Sequence, residues 1–328
     1  MKQNQVQKCQ PRSASSIDIT KIRLHNFHLM MAFMQKLNSS TTYLTVMGIQ
    51  FKELEPVPEE EAVDFLYNGS SEAIEMLGDT VVGPKDAEIV AVLVHGFTGS
   101  NLENLYLANH LARAGIRVYL PLLPGHGTDY EDLKRHDHKE WTAKVANVLK
   151  MVKKVHEHSK VFLMGHSLGG PIAVCGMFES GLDVDGLVIL ASPFRYPSIL
   201  RWRVKLLKWL PFRIPFAGFR FTDKKLYGNA LVNYFDEKYE YIYMKSAGDA
   251  FKVMDRAYTL LPKVTVPVLM IYSRIDYRVP FNQASIVKEK IPHAKLIVFE
   301  RGDHVLQIDS DRKEVADAIV EWIHGTTA

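Results

Sequence analysis

The 328-residue chain lacks any apolar run of the eighteen or so residues that a helical bilayer crossing requires, so a soluble or peripheral protein is expected. It has 2 cysteines, Cys9 and Cys175, far apart in sequence. They outline no disulfide framework, which favours a reducing, cytoplasmic setting and makes Cys175 a small buried apolar residue. It also lacks a strong charge of either sign. A net charge of +3, without zinc-finger, RRM or basic-helix patterns, gives no reason to expect a nucleic-acid partner. Neither Gly-x-Gly-x-x-Gly nor a Walker sequence is present, so dinucleotide and nucleoside triphosphate chemistry have no support and no cofactor is expected. No metal is expected either. In His136-Asp-His138 and His156-Glu-His158, i, i+2 spacing on a helix points the two rings apart, and a solvated face is the simpler reading.

Residues 1–60 read as an N-terminal extension, rich in Gln, Ser, Thr and Asn toward its start and expected to be flexible. A secretory leader is not expected, because Leu29 to Met34 is too short and poorly flanked. A presequence and a start at an internal methionine remain as alternatives. Gly48 to Glu55 and Val63 to Tyr67 are expected as short edge strands around an acidic, proline-bearing segment.

What the chain does contain is a regular alternation. Ile89 to Val94, Ile116 to Leu120, Val161 to Met164, Leu187 to Ala191, Val268 to Ser273 and Lys295 to Phe299 are apolar, β-branched runs suited to strands buried on both faces. Between and after them, helical spacing is expected over Leu102–Ala114, Trp141–Glu157, the stretch ending near Glu179, and Lys313–His324. Alternation of this kind implies an α/β fold, with a mostly parallel sheet and helices on both faces. The gap from Ser192 to Pro267 is far longer than a normal crossover. It is expected to be an inserted cap, residues 193–265, on a core formed by 61–192 and 266–328.

Chemistry is concentrated at Gly165-His-Ser167-Leu-Gly169, where a strand runs into a helix. In such an elbow the serine occupies a strained turn with its hydroxyl exposed, and the flanking glycines remove a collision with neighbouring backbone. A serine needs a base, and the base needs a third group to set its tautomer. His304, after the last strand, and Asp276, after the strand before it, supply both in the order Ser167, Asp276, His304. Asp303 and Asp309 are weaker candidates for the acid. For the oxyanion, the Leu168 amide stands at the helix start and Phe97 in the loop after the Ile89 to Val94 strand, with His95 and Gly96 shaping that loop against the substrate. His126 is expected as a structural loop residue near the site, with substrate contact as the lesser reading.

His95-Gly-Phe-Thr-Gly99, Leu123-Pro-Gly-His126-Gly127 with the later Trp141, Gly165-His-Ser-Leu-Gly169, Ser273-Arg-Ile-Asp276 and Gly302-Asp-His304 together resemble the carboxylesterase and monoacylglycerol lipase branch of the α/β-hydrolases. The resemblance covers about Val63 to Ile323. It implies a cofactor-free hydrolase of carboxylic esters with medium or long acyl chains, working through Ser167, Asp276 and His304. An acyltransferase, an aminopeptidase or a carbon–carbon bond hydrolase would keep the same triad. A non-catalytic lipid or ligand receptor is the alternative of a different class.

The segment Arg195 to Arg220 carries seven Arg or Lys and no acid, interleaved with Trp202, Leu206, Leu207, Trp209, Leu210, Phe212, Phe216 and Phe219. Trp202 is expected to meet substrate. The simpler reading of the segment is a lid whose apolar side covers an acyl pocket while its cations face water. The other is peripheral contact with an anionic membrane or lipid aggregate.

Overall fold

A computed structural model describes residues 42–68, 77–207, 213–215, 222–223, 226 and 238–327. The strands are β1 (Thr42–Val46), β2 (Ile49–Leu54), β3 (Thr80–Val82), β4 (Ile89–Val94), β5 (Ile116–Leu120), β6 (Lys160–His166), β7 (Gly186–Leu190), β8 (Arg213–Pro215), β9 (Tyr241–Tyr243), β10 (Val268–Ser273) and β11 (Lys295–Phe299). Among the described residues, nine of them form one sheet in the order β1-β2-β3-β5-β4-β6-β7-β10-β11, while β8 and β9 form a separate antiparallel pair. From β5 to β11 every neighbour is parallel. The apolar runs explain this. Val90 to Val94, Val161 to Met164 and Leu187 to Leu190 are all within 1% exposed, and only a sheet covered on both faces buries side chains of both orientations. The covering helices are Leu105–Arg113 and Arg312–Thr327, which touch one another, and His138–Val155, Gly169–Ser180 and Met244–Leu260, which pack in succession.

Several elements differ from the sequence expectation for local reasons. Val63 to Tyr67 lies in a helix, Glu59–Asn68, rather than a strand. The Pro58 carbonyl accepts the Ala62 amide at 3.1 Å, and Glu59, Glu60 and Glu61 favour the positive end of a helix dipole. The helix expected from Trp141 begins at His138, because Asp137 and Glu140 form a capping box. Thr42–Leu54 is not an appendage: β2 pairs with β3, and Phe51 and Leu54 are buried in the main core. Residues 1–41 of the expected extension lie outside the described residues.

The expected 193–265 insertion divides at Met244. Val253, Met254 and Ala257 of the Met244–Leu260 helix belong to the main core, where Cys175 on the neighbouring helix is also buried. Among its described residues, the preceding part includes the Ser198–Leu207 helix and the β8–β9 ribbon. Of the expected cap aromatics, Trp209, Phe212, Phe216 and Phe219 lie outside the described residues, as do Leu210, Lys208 and Arg220.

The pairs read as a solvated face are only partly so. His156 is buried, with Nε2 2.8 Å from the Tyr119 hydroxyl, and burial lowers its pKa to about 4. His138 pairs with the buried Asp249 at 3.0 Å. Among the described residues no group of three His, Cys, Asp or Glu side chains is arranged to hold a metal ion, and no helix is long and apolar enough to cross a membrane.

Candidate active site

From β4 the chain proceeds to β5 on one side, and β6 then lies on the other side of β4. A crevice forms at the carboxyl ends where the order reverses, and loops leaving β4 and β6 face each other there. Ser167 occupies that turn with φ +51°, a left-handed conformation that an L residue adopts only when its surroundings impose it. Its amide donates to the Leu190 carbonyl at 2.9 Å. A Cβ on Gly165 would fall on the Gly169 backbone, and one on Gly169 would fall on the Val94 and His95 carbonyl oxygens. Both positions therefore admit glycine alone, which explains their spacing around the serine.

The later strands bring the other two groups to the same point. The Ser167 hydroxyl donates to His304 Nε2 at 2.9 Å, and His304 Nδ1–H donates to Asp276 Oδ2 at 2.8 Å. Asp276 Oδ1 accepts the Arg278 and Val279 amides, both at 2.8 Å. Burial opposes ionisation of Asp276, but the His304 imidazole and these amides outweigh it and hold the carboxyl below its ordinary value. Burial likewise disfavours the imidazolium of His304 and lowers its pKa, although Asp276 pulls the other way.

The two other acids near His304 hold the loops. Asp303 Oδ1 accepts the His304 amide at 2.9 Å and the Tyr277 amide at 3.1 Å, linking the His304 loop to the Asp276 loop. Asp309 accepts the Asp303 amide at 2.8 Å together with the Thr222 and Asp223 amides at 2.9 and 2.7 Å, so it ties Thr222 and Asp223 to the His304 loop. Ser273 at the end of β10 donates to the Gly302 carbonyl, closing the same corner.

Ser167, Leu168, Gly96, Phe97 and His304 line one cavity of about 360 Å³. Its apolar wall comes from Leu200, Ile242, Ala247, Phe251 and Met254, and its polar lining includes Glu103, His166, Tyr196 and Arg278. Leu168 has helical φ and ψ of −59° and −23° at the N-terminus of the Gly169–Ser180 helix. Facing it, the Gly96–Gly99 turn is closed by a Gly99 amide donating to the Gly96 carbonyl at 3.2 Å. The Gly96 amide itself donates to Glu103 Oε1 at 2.8 Å.

Two residues expected at the substrate, His95 and Trp202, are elsewhere, and His126 takes the structural loop place expected of it. His95 is fully buried and does not line the cavity; its Nδ1–H donates to the Gly96 carbonyl, and its Nε2 accepts the Leu123 amide at 3.0 Å. Burial lowers its pKa, in keeping with this neutral tautomer. His126 is packed against His95, Phe97 and Trp141 with ring centroids 5.0, 6.0 and 5.5 Å away, and burial takes its pKa well below the usual range. Trp202 is 60% exposed and lines a separate groove of about 480 Å³ between the Ser198–Leu207 and Met244–Leu260 helices, which does not reach Ser167. The sequence reading missed Glu103, His166, Tyr196 and Arg278. His166 stood inside the motif as a variable position, and Glu103 reaches it across 63 residues with no local spacing to reveal the contact.

Comparison with known proteins accords with this architecture. The chain is 27% identical over 240 residues to a thermostable monoacylglycerol lipase of Bacillus sp. (strain H-257), covering 73% of this chain and 91% of that one. It is 25% identical over 260 residues to a proline iminopeptidase of Thermoplasma volcanium, covering 70% and 87%. A solved structure from work on two metagenome-derived lipolytic enzymes superposes with a TM-score of 0.66 at 23% identity, covering 76% of this chain and 98% of that one. The model of the alpha/beta hydrolase family matches residues 91–318, which contain the β4 loop, the Ser167 turn and the loops of Asp276 and His304. This chain belongs to the α/β-hydrolase family.

Proposed function

We propose that the protein hydrolyses carboxylic esters with an apolar acyl chain through an acyl-enzyme on Ser167. The observation that carries this reading is the continuous line of hydrogen bonds from Ser167 through His304 to Asp276 at the wall of an apolar cavity. His304 Nε2 takes the Ser167 proton as Oγ attacks the ester carbonyl. Asp276 holds Nδ1–H in place and stabilises the imidazolium that forms. The Leu168 and Phe97 amides receive the oxyanion. His304 then protonates the leaving alcohol, and a water activated by the same imidazole releases the acid. The similarity to a monoacylglycerol lipase supports an acyl substrate.

An aminopeptidase would use the same nucleophile but needs an anion to receive the substrate ammonium. Glu103, the carboxylate on the cavity lining, is already bonded to the Gly96 amide and His166, which favours the ester. The wild-type protein should label with a fluorophosphonate and cleave p-nitrophenyl esters, whereas Ser167→Ala should do neither. Unlabelled Ser167, with ester cleavage persisting in Ser167→Ala, would sink the mechanism. A protein that neither labels nor cleaves would be the non-catalytic receptor. A chain-length series including monoacylglycerols reads the acyl preference.

The mouth of the cavity supports contact with anionic lipid surfaces. Leu200 lines the cavity and is itself 41% exposed, beside Ile199 at 56% and Leu206 at 58%. The Ser198–Leu207 helix that bears them carries Arg201, Arg203 and Lys205 with no acid. Binding to anionic vesicles should weaken as salt rises; equal recovery with and without vesicles would refute this contact.

A further inference from the structure

The His166 ring is almost wholly buried beside His304, with the two ring centroids 5.0 Å apart. Its Nδ1 lies 2.9 Å from Glu103 Oε1, and its Nε2 lies 3.1 Å from the backbone carbonyl oxygen of His304. A carbonyl oxygen only accepts, and so does a carboxylate. A neutral imidazole has one N–H and leaves the other nitrogen as a lone pair. With both nitrogens facing oxygen and Glu103 ionised, a neutral ring would set one lone pair against another in a buried place, where an unmade hydrogen bond is most costly. The arrangement closes when the ring carries both protons and Glu103 is the counter-anion. Glu103 fits that role: burial opposes its ionisation, but the hydrogen bond and charge of His166 bring its pKa below the ordinary value.

We propose that His166, doubly protonated and paired with Glu103, is a positioning residue that ties the oxyanion loop to the backbone of His304. The link runs from the Gly96 amide to Glu103, from Glu103 to His166, and from His166 to the His304 carbonyl. It therefore spans the two sides between which the ester carbonyl must sit. A buried cation beside His304 also disfavours a second cation there, which helps keep the base in its proton-accepting form. The ionisable groups around the two rings are His95 directly after β4, Glu103 in the short helical turn Asn101–Asn104, and Asp276 and Arg278 from the loop after β10. At His304, Asp276 favours the imidazolium, whereas the His166 ring and Arg278 oppose it.

This role rests on the ester-hydrolase reading, and the test separates the two. Ring-nitrogen NMR of the wild-type protein at pH 8, with His166→Gln used for assignment, should show both His166 nitrogens protonated; a single N–H overturns the proposal whatever the enzyme cleaves. In p-nitrophenyl ester hydrolysis, His166→Gln should lower kcat about tenfold or more with KM within about threefold, because the lost contact orients the base. Its acid limb in kcat/KM should move to higher pH, since removing a positive charge raises the His304 pKa. Glu103→Gln, which removes the charge that holds the second proton, should move the limb in the same direction. Folded variants with wild-type kcat and an unmoved limb refute the proposal. Ester cleavage that survives Ser167→Ala refutes the ester-hydrolase reading but leaves the NMR result to stand or fall by itself.

Discussion

Replacing Asp276 by asparagine tests the relay at the point where the structure dictates the outcome. Oδ1 accepts two backbone amides, from Arg278 and Val279 at 2.8 Å each, so the carbonyl oxygen of the new amide must occupy that place. Its NH2 group then takes the place of Oδ2, facing His304 Nδ1. A donor there requires a lone pair on Nδ1 and moves the ring proton to Nε2, the atom that faces Ser167. The base has lost its lone pair toward the nucleophile while the loop keeps its hydrogen bonds. The same substitution in a serine protease lowers kcat by about 10⁴. A loss of that size corresponds to ~5.4 kcal/mol of transition-state stabilisation. Asp276→Asn should therefore lose about four orders of magnitude in kcat on a p-nitrophenyl ester with KM within a few-fold, and melt within a few degrees of wild type. Asp276→Ala leaves three donors without an acceptor, at about 1–3 kcal/mol each, and should melt well below both. Retention of more than a tenth of wild-type kcat by Asp276→Asn would refute the tautomer argument, as would equal melting temperatures for the Asn and Ala variants.

Buried polar groups in and around the site set three further outcomes. The acid limb of kcat/KM should fall below the ordinary imidazole value of about 6.5, because burial lowers the His304 pKa and the base must be neutral; a limb above that value refutes this assignment. Stability should also decline as pH falls. Below about 6.5 the unfolded chain protonates His95, His126 and His304 while the folded state resists, and below about 3.9 the unfolded chain protonates Asp276 before the folded state does. Denaturant midpoints at pH 7.5 and 5 read the first effect. Asp309→Ala strips the acceptor from the Asp303, Thr222 and Asp223 amides, so a destabilisation of about 3 kcal/mol or more is expected in urea titrations.

The strands were legible in sequence because burial writes them as largely apolar runs, on both faces for β4, β5 and β10 and only partly for the edge strand β11. Ile89 to Val94, Ile116 to Leu120, Val268 to Ser273 and Lys295 to Phe299 match β4, β5, β10 and β11 in extent. The convergence of Ser167, Asp276 and His304 was legible because each follows a strand whose end is unambiguous. Val63 to Tyr67 misled because a short apolar run carries no period, and the proline and glutamates before it decided for helix. His95 and Trp202 misled differently: side-chain direction depends on packing partners distant in sequence, His95 turning inward to the Leu123 amide and Trp202 outward to solvent. The Glu103–His166 pair was hidden for the same reason.

The left-handed turn at Ser167 sets the working protein against its own folded stability. An L residue at φ +51° is held there at a cost of about 1–2 kcal/mol, which glycine does not incur. Ser167→Gly should therefore abolish ester cleavage and melt above wild type, a gain that Ser167→Ala, which keeps the Cβ, should not share. Among chains of this architecture, one that has lost its chemistry has a ready route to greater thermal endurance through this single position.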